Sequence, residues 1–116
     1  MHPFFKSFQY AFKGIQHGLL TERNFRFHAL AIVVVSTAGV VTGLTATEWC
    51  IILILFGGMT ALELINTAIE RTVDLITNEI HPLAGQAKDL ASGAVLIFAI
   101  FSAIIGLIIF IPKWFY

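Results

Sequence analysis

Four polar side chains recur at helical spacing in the middle of an apolar sequence: Glu63, Asn66, Glu70 and Asp74, at positions i, i+3, i+7 and i+11. On an α-helix they occupy roughly one quarter of the circumference. Oxygen ligands of this kind suit Mg²⁺, which takes one or two carboxylates and completes its shell with phosphates and water. A carboxylate near a membrane interface can also accept a proton from a lipid hydroxyl. The pattern therefore favours a phosphate- or cation-handling site over a solvated helix end with surface acids.

Lys88 lies downstream and is suited to neutralising a transferring phosphoryl group, because such reactions depend on positioning and charge stabilisation. The chain contains neither a GxxxxGK[ST] loop nor a protein-kinase signature, so a nucleotide would be held in another way. Zinc is not expected, since Cys50 and the histidines lack ligand spacing. The formal net charge is zero, which gives no reason to expect a nucleic-acid partner.

Composition defines the class of protein. Hydrophobic residues make up 58% of the 116 residues and charged residues only 12%, about half of the charged share of a soluble domain, roughly 25%. The chain is predicted to be an all-α integral membrane protein with a single domain, residues 1–116.

Periodicity divides this domain into four helices. Residues 4–20 carry an apolar stripe of Phe8, Phe12, Ile15 and Leu19 and no acids, which predicts an amphipathic helix on the membrane surface or, alternatively, one packed against protein. Residues 29–47, 49–76 and 82–111 are predicted to be helices that contain the membrane spans. A polar break is expected at Thr21–His28.

Two short signals mark the helix boundaries. Thr45 and Glu48 have the spacing of a capping box, and Pro82 suits a first helical turn with His81 near the cap. Gly39 and Gly43 have GxxxG spacing, which permits a close helix contact.

Depth along the second span orders the acids. If Trp49 marks one interface, Glu63 lies about 21 Å and Glu70 about 31 Å across, just inside and beyond the opposite interface. Of the seven lysines and arginines, only Lys113 lies with the C-terminus. The N-terminus and the acidic loop are therefore predicted to be cytoplasmic and the C-terminus outside.

The segment ELINTAIERTVD at residues 63–74, followed by HPLA at 81–84 and AKD at 87–89, resembles the prokaryotic diacylglycerol kinase/undecaprenol kinase family over nearly the whole chain. Residues 22–28, ERNFRFH, and the HPLA segment are more similar to the undecaprenol kinase branch. The resemblance implies a homotrimeric lipid kinase of the bacterial inner membrane, with an N-terminal interfacial helix and three transmembrane helices. The implied reaction is MgATP-dependent phosphorylation of undecaprenol to undecaprenyl phosphate, with diacylglycerol to phosphatidic acid as the alternative.

The resemblance also implies roles for individual residues. Glu63 is the expected catalytic base, supported by Asn66, and Ser92 is expected near the lipid. Metal ligands are expected at Glu22 and Glu70. Nucleotide contacts are expected from Tyr10, Glu22, Glu70, Glu79, His81, Lys88 and Asp89.

Other interpretations remain open from the residues. A small proton-coupled transporter would need Glu63 near the midplane of a pore, and a non-enzymatic subunit would have no use for the acidic stripe. Asn66 can alternatively bond a neighbouring helix, Asp74 is expected to be a solvated acid, and His17 and His28 are expected at the interface. Three spans have little interior to shield the stripe, which favours a site between subunits.

Overall fold

The computed structural model describes residues 3–116, and all regular secondary structure in that range is helical. Four helices follow one another: α1 (Pro3–Thr21), α2 (Arg23–Thr42), α3 (Ala46–Ile76) and α4 (Pro82–Phe115). The last three are long and apolar enough to cross a membrane. The predicted all-helical membrane architecture is thereby confirmed.

The junction of α1 and α2 is tighter than the predicted break at Thr21–His28, because only Glu22 leaves the helical conformation. Its extended backbone turns the chain, and the Arg26 guanidinium donates to the carbonyls of Leu19 and Leu20 at 3.2 Å each. These bonds satisfy carbonyls that the end of α1 leaves free. Residues 23–28 therefore form the first turns of α2, which brings them against α3.

Helix α2 ends at Thr42 rather than near Thr47, because Gly43 adopts a left-handed conformation with φ of 82°. Its N–H donates to the Gly39 carbonyl at 2.9 Å, a common helix ending that glycine adopts without steric cost. Gly43 is thus a helix terminator and not half of a helix-contact motif. Gly39 does make a close contact, since a β-carbon there would meet the Trp49 ring at 2.8 Å.

The predicted capping box begins α3: the Thr45 side chain accepts from the Glu48 N–H at 3.2 Å, and Glu48 accepts from the Thr45 N–H at 2.9 Å. Pro82 occupies the first turn of α4, and His81 is its N-cap. Helix α4 extends past the predicted end at Ile111 and runs through Pro112 to Phe115. The helical hydrogen bonding continues to the last residue, where the Tyr116 N–H donates to the Pro112 carbonyl at 3.1 Å.

Helices α2, α3 and α4 alternate in direction, so the α1–α2 junction and the α3–α4 loop lie at one end of the bundle, which we call the polar end. The opposite end is joined by Glu48 to Lys113 at 2.9 Å and by the Trp114 indole N–H, which donates to Thr42 at 2.8 Å. Few side chains of residues 3–116 are buried between the helices, and Ile52, Ile109 and Phe110 form a buried cluster toward this opposite end. A small buried core is expected in a membrane, because lipid covers the outer faces and the helices associate through close packing rather than through the hydrophobic effect.

Candidate active site

Glu63 lies within α3 with 5% of its surface exposed, and it is the only buried charged residue among residues 3–116. Its Oε1 is 3.1 Å from His28 Nε2 on α2. A carboxylate buried in a membrane protein is costly unless it is hydrogen-bonded. His28 partners the acid because α2 starts at Arg23 and places position 28 against α3. Its expected position at the membrane interface stays a prediction. The sequence carried no pattern that joins the two residues.

Asn66 and Glu70 form a second pair, one and two turns nearer the polar end. The Asn66 amide donates to Glu70 Oε1 at 3.2 Å, so these two side chains do share a face of α3. The Asn66 carbonyl oxygen is buried and has no hydrogen-bond partner in the described chain. The amide therefore bonds within α3 and leaves one acceptor open.

Arg71 joins the α1–α2 junction to α3. Its guanidinium lies 2.7 Å from Glu22 Oε1, donates to Thr21 Oγ1 at 3.1 Å and contacts His17 Nε2. Glu22, an expected metal ligand, is thus ion-paired within this chain. Arg71 and His17 were missed as members of the site; the charge directly after Glu70 was the available signal for Arg71.

Lys88 forms a third group with residues of the α3–α4 loop. Its Nζ lies 2.5 Å from Asp74 Oδ1, so Asp74, which is exposed near the end of α3 as expected, also forms an ion pair with Lys88. Glu79, His81 and Lys88 line one pocket of about 270 Å³. The His81 Nδ1 accepts from the Leu83 N–H at 3.2 Å, which caps α4 and fixes the ring beside the pocket. The structure brings together three of the expected nucleotide contacts.

Three expected site residues lie elsewhere in the single chain. Tyr10 is exposed on α1, with Lys13 Nζ 6.0 Å from its ring centroid. Asp89 lines a different surface depression, with Gln86 and Gly93, because adjacent residues on a helix point about 100° apart. Ser92 is exposed on α4.

An apolar groove of about 490 Å³ runs between α2, α3 and α4. His28 lines it at the polar end and Trp114 at the opposite end, so His28 both contacts Glu63 and faces the groove. The groove arises from three helices at once, which is why sequence periodicity did not reveal it.

The oxygen donors match the chemistry of Mg²⁺ more closely than that of zinc. In residues 3–116 no group of three or more His, Cys, Asp or Glu side chains is gathered as a metal site. Carboxylates supplied in ones and twos are nevertheless what Mg²⁺ uses when substrate phosphates and water complete its shell. Glu22 and Glu70 are side chains of this type near the polar end.

Comparison with known proteins agrees with this arrangement. The family described as prokaryotic diacylglycerol kinase matches residues 9–110. The chain belongs to this family. It is therefore a membrane-associated lipid kinase that uses ATP, and the resemblance found in the ELINTAIERTVD segment is confirmed.

Relatives within the family carry two different names. The chain is 57% identical to an undecaprenol kinase of Bacillus subtilis over 113 residues, covering 97% of this chain and 92% of the relative. It is 40% identical to a diacylglycerol kinase of Synechocystis, covering 91% of this chain and 61% of the relative. It is 33% identical to a diacylglycerol kinase of Escherichia coli K12, covering 86% of this chain and 81% of the relative. Family membership decides for a lipid kinase over a transporter or a non-enzymatic subunit.

Proposed function

We propose that this family member transfers the γ-phosphoryl group of MgATP to undecaprenol and forms undecaprenyl phosphate. The observation that carries the proposal is the buried Glu63, which His28 connects to an apolar groove. A catalytic base for a lipid hydroxyl must lie where the hydrocarbon chain ends, and Glu63 lies next to the polar end of the apolar groove. The 57% identity to an undecaprenol kinase favours the prenyl alcohol. Diacylglycerol is the second candidate, since other relatives are diacylglycerol kinases.

Glu63 is proposed as the catalytic base. Its carboxylate accepts the hydroxyl proton of the lipid, the lipid oxygen bonds to the γ-phosphorus, and the bond from that phosphorus to the departing ADP oxygen breaks. The groove is proposed to hold the hydrocarbon chain next to this hydroxyl, and Ser92 to lie near the lipid. Asn66 is proposed to support the reacting groups through its open carbonyl oxygen.

Nucleotide binding is assigned to the polar end. Lys88, Glu79 and His81 share a pocket there and are proposed to contact ATP, joined by Tyr10 and Asp89. Glu22 and Glu70 are proposed to hold Mg²⁺, which when bound neutralises charge on the phosphates. Glu22 must then divide its carboxylate between the metal and Arg71, its partner at 2.7 Å.

The polar end and the N-terminus are proposed to face the cytoplasm of a bacterial cell across its inner membrane, with the C-terminus outside, from the distribution of lysine and arginine. Helix α1 is proposed to lie on the membrane surface. Its apolar stripe is not covered by the rest of the chain: Phe8 and Phe12 are 50% and 68% exposed. Lipid headgroups and acyl chains would cover such a stripe.

A homotrimer with sites between subunits is proposed as the working assembly. The support is that Asp89 lines a depression separate from the pocket of Lys88 and Glu79. In the proposed trimer a neighbouring copy brings its Asp89 to that pocket, which the Asp89 of the same chain does not line.

The test of the activity is transfer of label. Purified protein in detergent receives γ-labelled ATP, Mg²⁺, and undecaprenol or diacylglycerol in turn. We expect Mg²⁺-dependent labelling of undecaprenol that exceeds labelling of diacylglycerol. A reversed preference would reassign the substrate, and absence of label on both lipids would overturn the proposed function.

A further inference from the structure

His28 lies where the buried acid meets the apolar groove. Its Nε2 is 3.1 Å from Glu63 Oε1, and its ring forms part of the groove wall. The two side chains are 20% and 6% exposed. We propose that His28 is a positioning residue that holds the Glu63 carboxylate toward the lipid hydroxyl. The inference rests on the proposed function and adds to it a residue that acts through the base.

The hydrogen bond matters because of where Glu63 lies. Within residues 3–116, His28 is the only side chain that hydrogen-bonds to Glu63. A carboxylate in so apolar a setting depends on its donors, and charge-assisted bonds of this type are about twice as strong as neutral ones. Removal of His28 therefore leaves the carboxylate without the hydrogen-bond partner that fixes its orientation.

The backbone around His28 is held in place by close packing. Phe25, one turn earlier on α2, is 6% exposed and lies against Gly18 of α1. A β-carbon on Gly18 would lie 3.1 Å from Leu64, the neighbour of Glu63 on α3. Three helices thus meet within one turn of the His28–Glu63 pair, and this fixes the helix that carries the imidazole.

The ring orientation is restricted as well. The rings of Phe27 and His28 have centroids 5.8 Å apart and planes at 82°, an edge-to-face arrangement.

With Oε1 engaged by His28, the second carboxylate oxygen is the one available to the lipid hydroxyl. Proton transfer then runs from the lipid hydroxyl to Glu63, and the His28 bond persists through phosphoryl transfer.

The test compares three variants of the whole protein in the lipid kinase assay: His28→Leu, His28→Gln and, as the control, Thr37→Val. Gln can place an amide N–H near the position of Nε2, whereas Leu cannot donate. Thr37 lies on the same helix, and its hydroxyl bonds only its own backbone, at the Val33 carbonyl. Melting temperature in the same detergent shows whether each variant is folded, and His28→Asn, whose amide is too short to reach, replaces His28→Leu if the latter does not fold.

We expect His28→Leu to lower kcat about 100-fold, the effect of a misplaced reacting group, with KM for ATP nearly unchanged. His28→Gln should retain most of the activity, and Thr37→Val should match the wild type. The inference is overturned if the non-donating variant keeps the kcat of the control, or if His28→Gln loses as much kcat as His28→Leu. A wild-type protein that labels no lipid would instead overturn the proposed function, so the two failures are distinct.

Discussion

Glu63 and Glu70 lie on one face of α3 about 10 Å apart along its axis, and their surroundings differ. Glu63 is buried and partnered from α2 by His28, whereas Glu70 is half-buried and partnered from its own helix by Asn66. Two carboxylates of the same chemistry thus face different environments: one beside an apolar groove, the other toward the polar end. This division is what a base for a lipid and a ligand for a nucleotide-bound metal require.

At the residue scale, we expect Glu63→Gln and Glu70→Gln to fail in different ways. Loss of the base should lower kcat by at least about 100-fold while nucleotide affinity persists, because the amide keeps the shape and loses proton acceptance. Loss of the metal ligand should weaken MgATP binding about tenfold, or about 1.4 kcal/mol. Steady-state kinetics and binding of a fluorescent ATP analogue measure both.

The assignment of Glu70 would be wrong if Glu70→Gln bound MgATP with wild-type affinity. The assignment of Glu63 would be wrong if Glu63→Gln turned over lipid at the wild-type rate. The conservative size of both substitutions limits changes in packing.

At the scale of the elements, α3 and α4 approach closely at Gly58. A β-carbon at position 58 would clash with the ring of Phe98 on α4, whereas a β-carbon at position 57 would have no neighbouring atom within 4 Å. Membrane helices associate through such small residues, because packing replaces the hydrophobic effect that lipid removes. The crossing of these two helices holds the α3–α4 loop and therefore the Lys88 pocket.

We expect Gly58→Ala to destabilise the protein by about 1–3 kcal/mol through overpacking, and Gly57→Ala to be neutral or slightly stabilising because alanine favours the helix. Thermal unfolding in detergent measures the difference, and adding Phe98→Leu to Gly58→Ala should recover part of the loss. Equal melting temperatures for the two alanine variants would contradict the close approach.

At the scale of the whole molecule, the single chain brings some of the proposed site residues together and leaves others apart. The Lys88 pocket, the Arg71–Glu22 pair and the Glu63–His28 pair occur within one chain, while Asp89 and Tyr10 lie apart from them. Much apolar surface on all four helices is also exposed. Lipid and further copies of the chain are the proposed coverings of this surface.

If Asp89 serves the site of a neighbouring subunit, two inactive variants should restore one another. We expect Glu63→Gln and Asp89→Asn each to be nearly inactive, and a mixture unfolded and refolded together to recover a fraction of wild-type turnover. Mixing without exchange of subunits is the control. An inactive mixture that crosslinking shows to contain both variants in one assembly would contradict a site shared in this way.

The sequence by itself determined the membrane class, the helical architecture and the position of the acids along α3, because these depend on local periodicity, caps and composition. Thr45–Glu48 and His81–Pro82 marked helix starts for the same reason. The family could also be identified from the sequence, since its motif is contiguous in residues 63–74.

Tertiary structure decided which side chains meet. His28 reached Glu63, Arg71 reached Glu22 and Lys88 reached Asp74 only because separate helices pack side by side. The turn confined to Glu22 and the left-handed Gly43 set where α2 begins and ends, and therefore which face His28 presents. Residues 35 or 49 positions apart are not related by the helical period, so their contacts cannot be predicted from local sequence patterns and depend on how the helices pack.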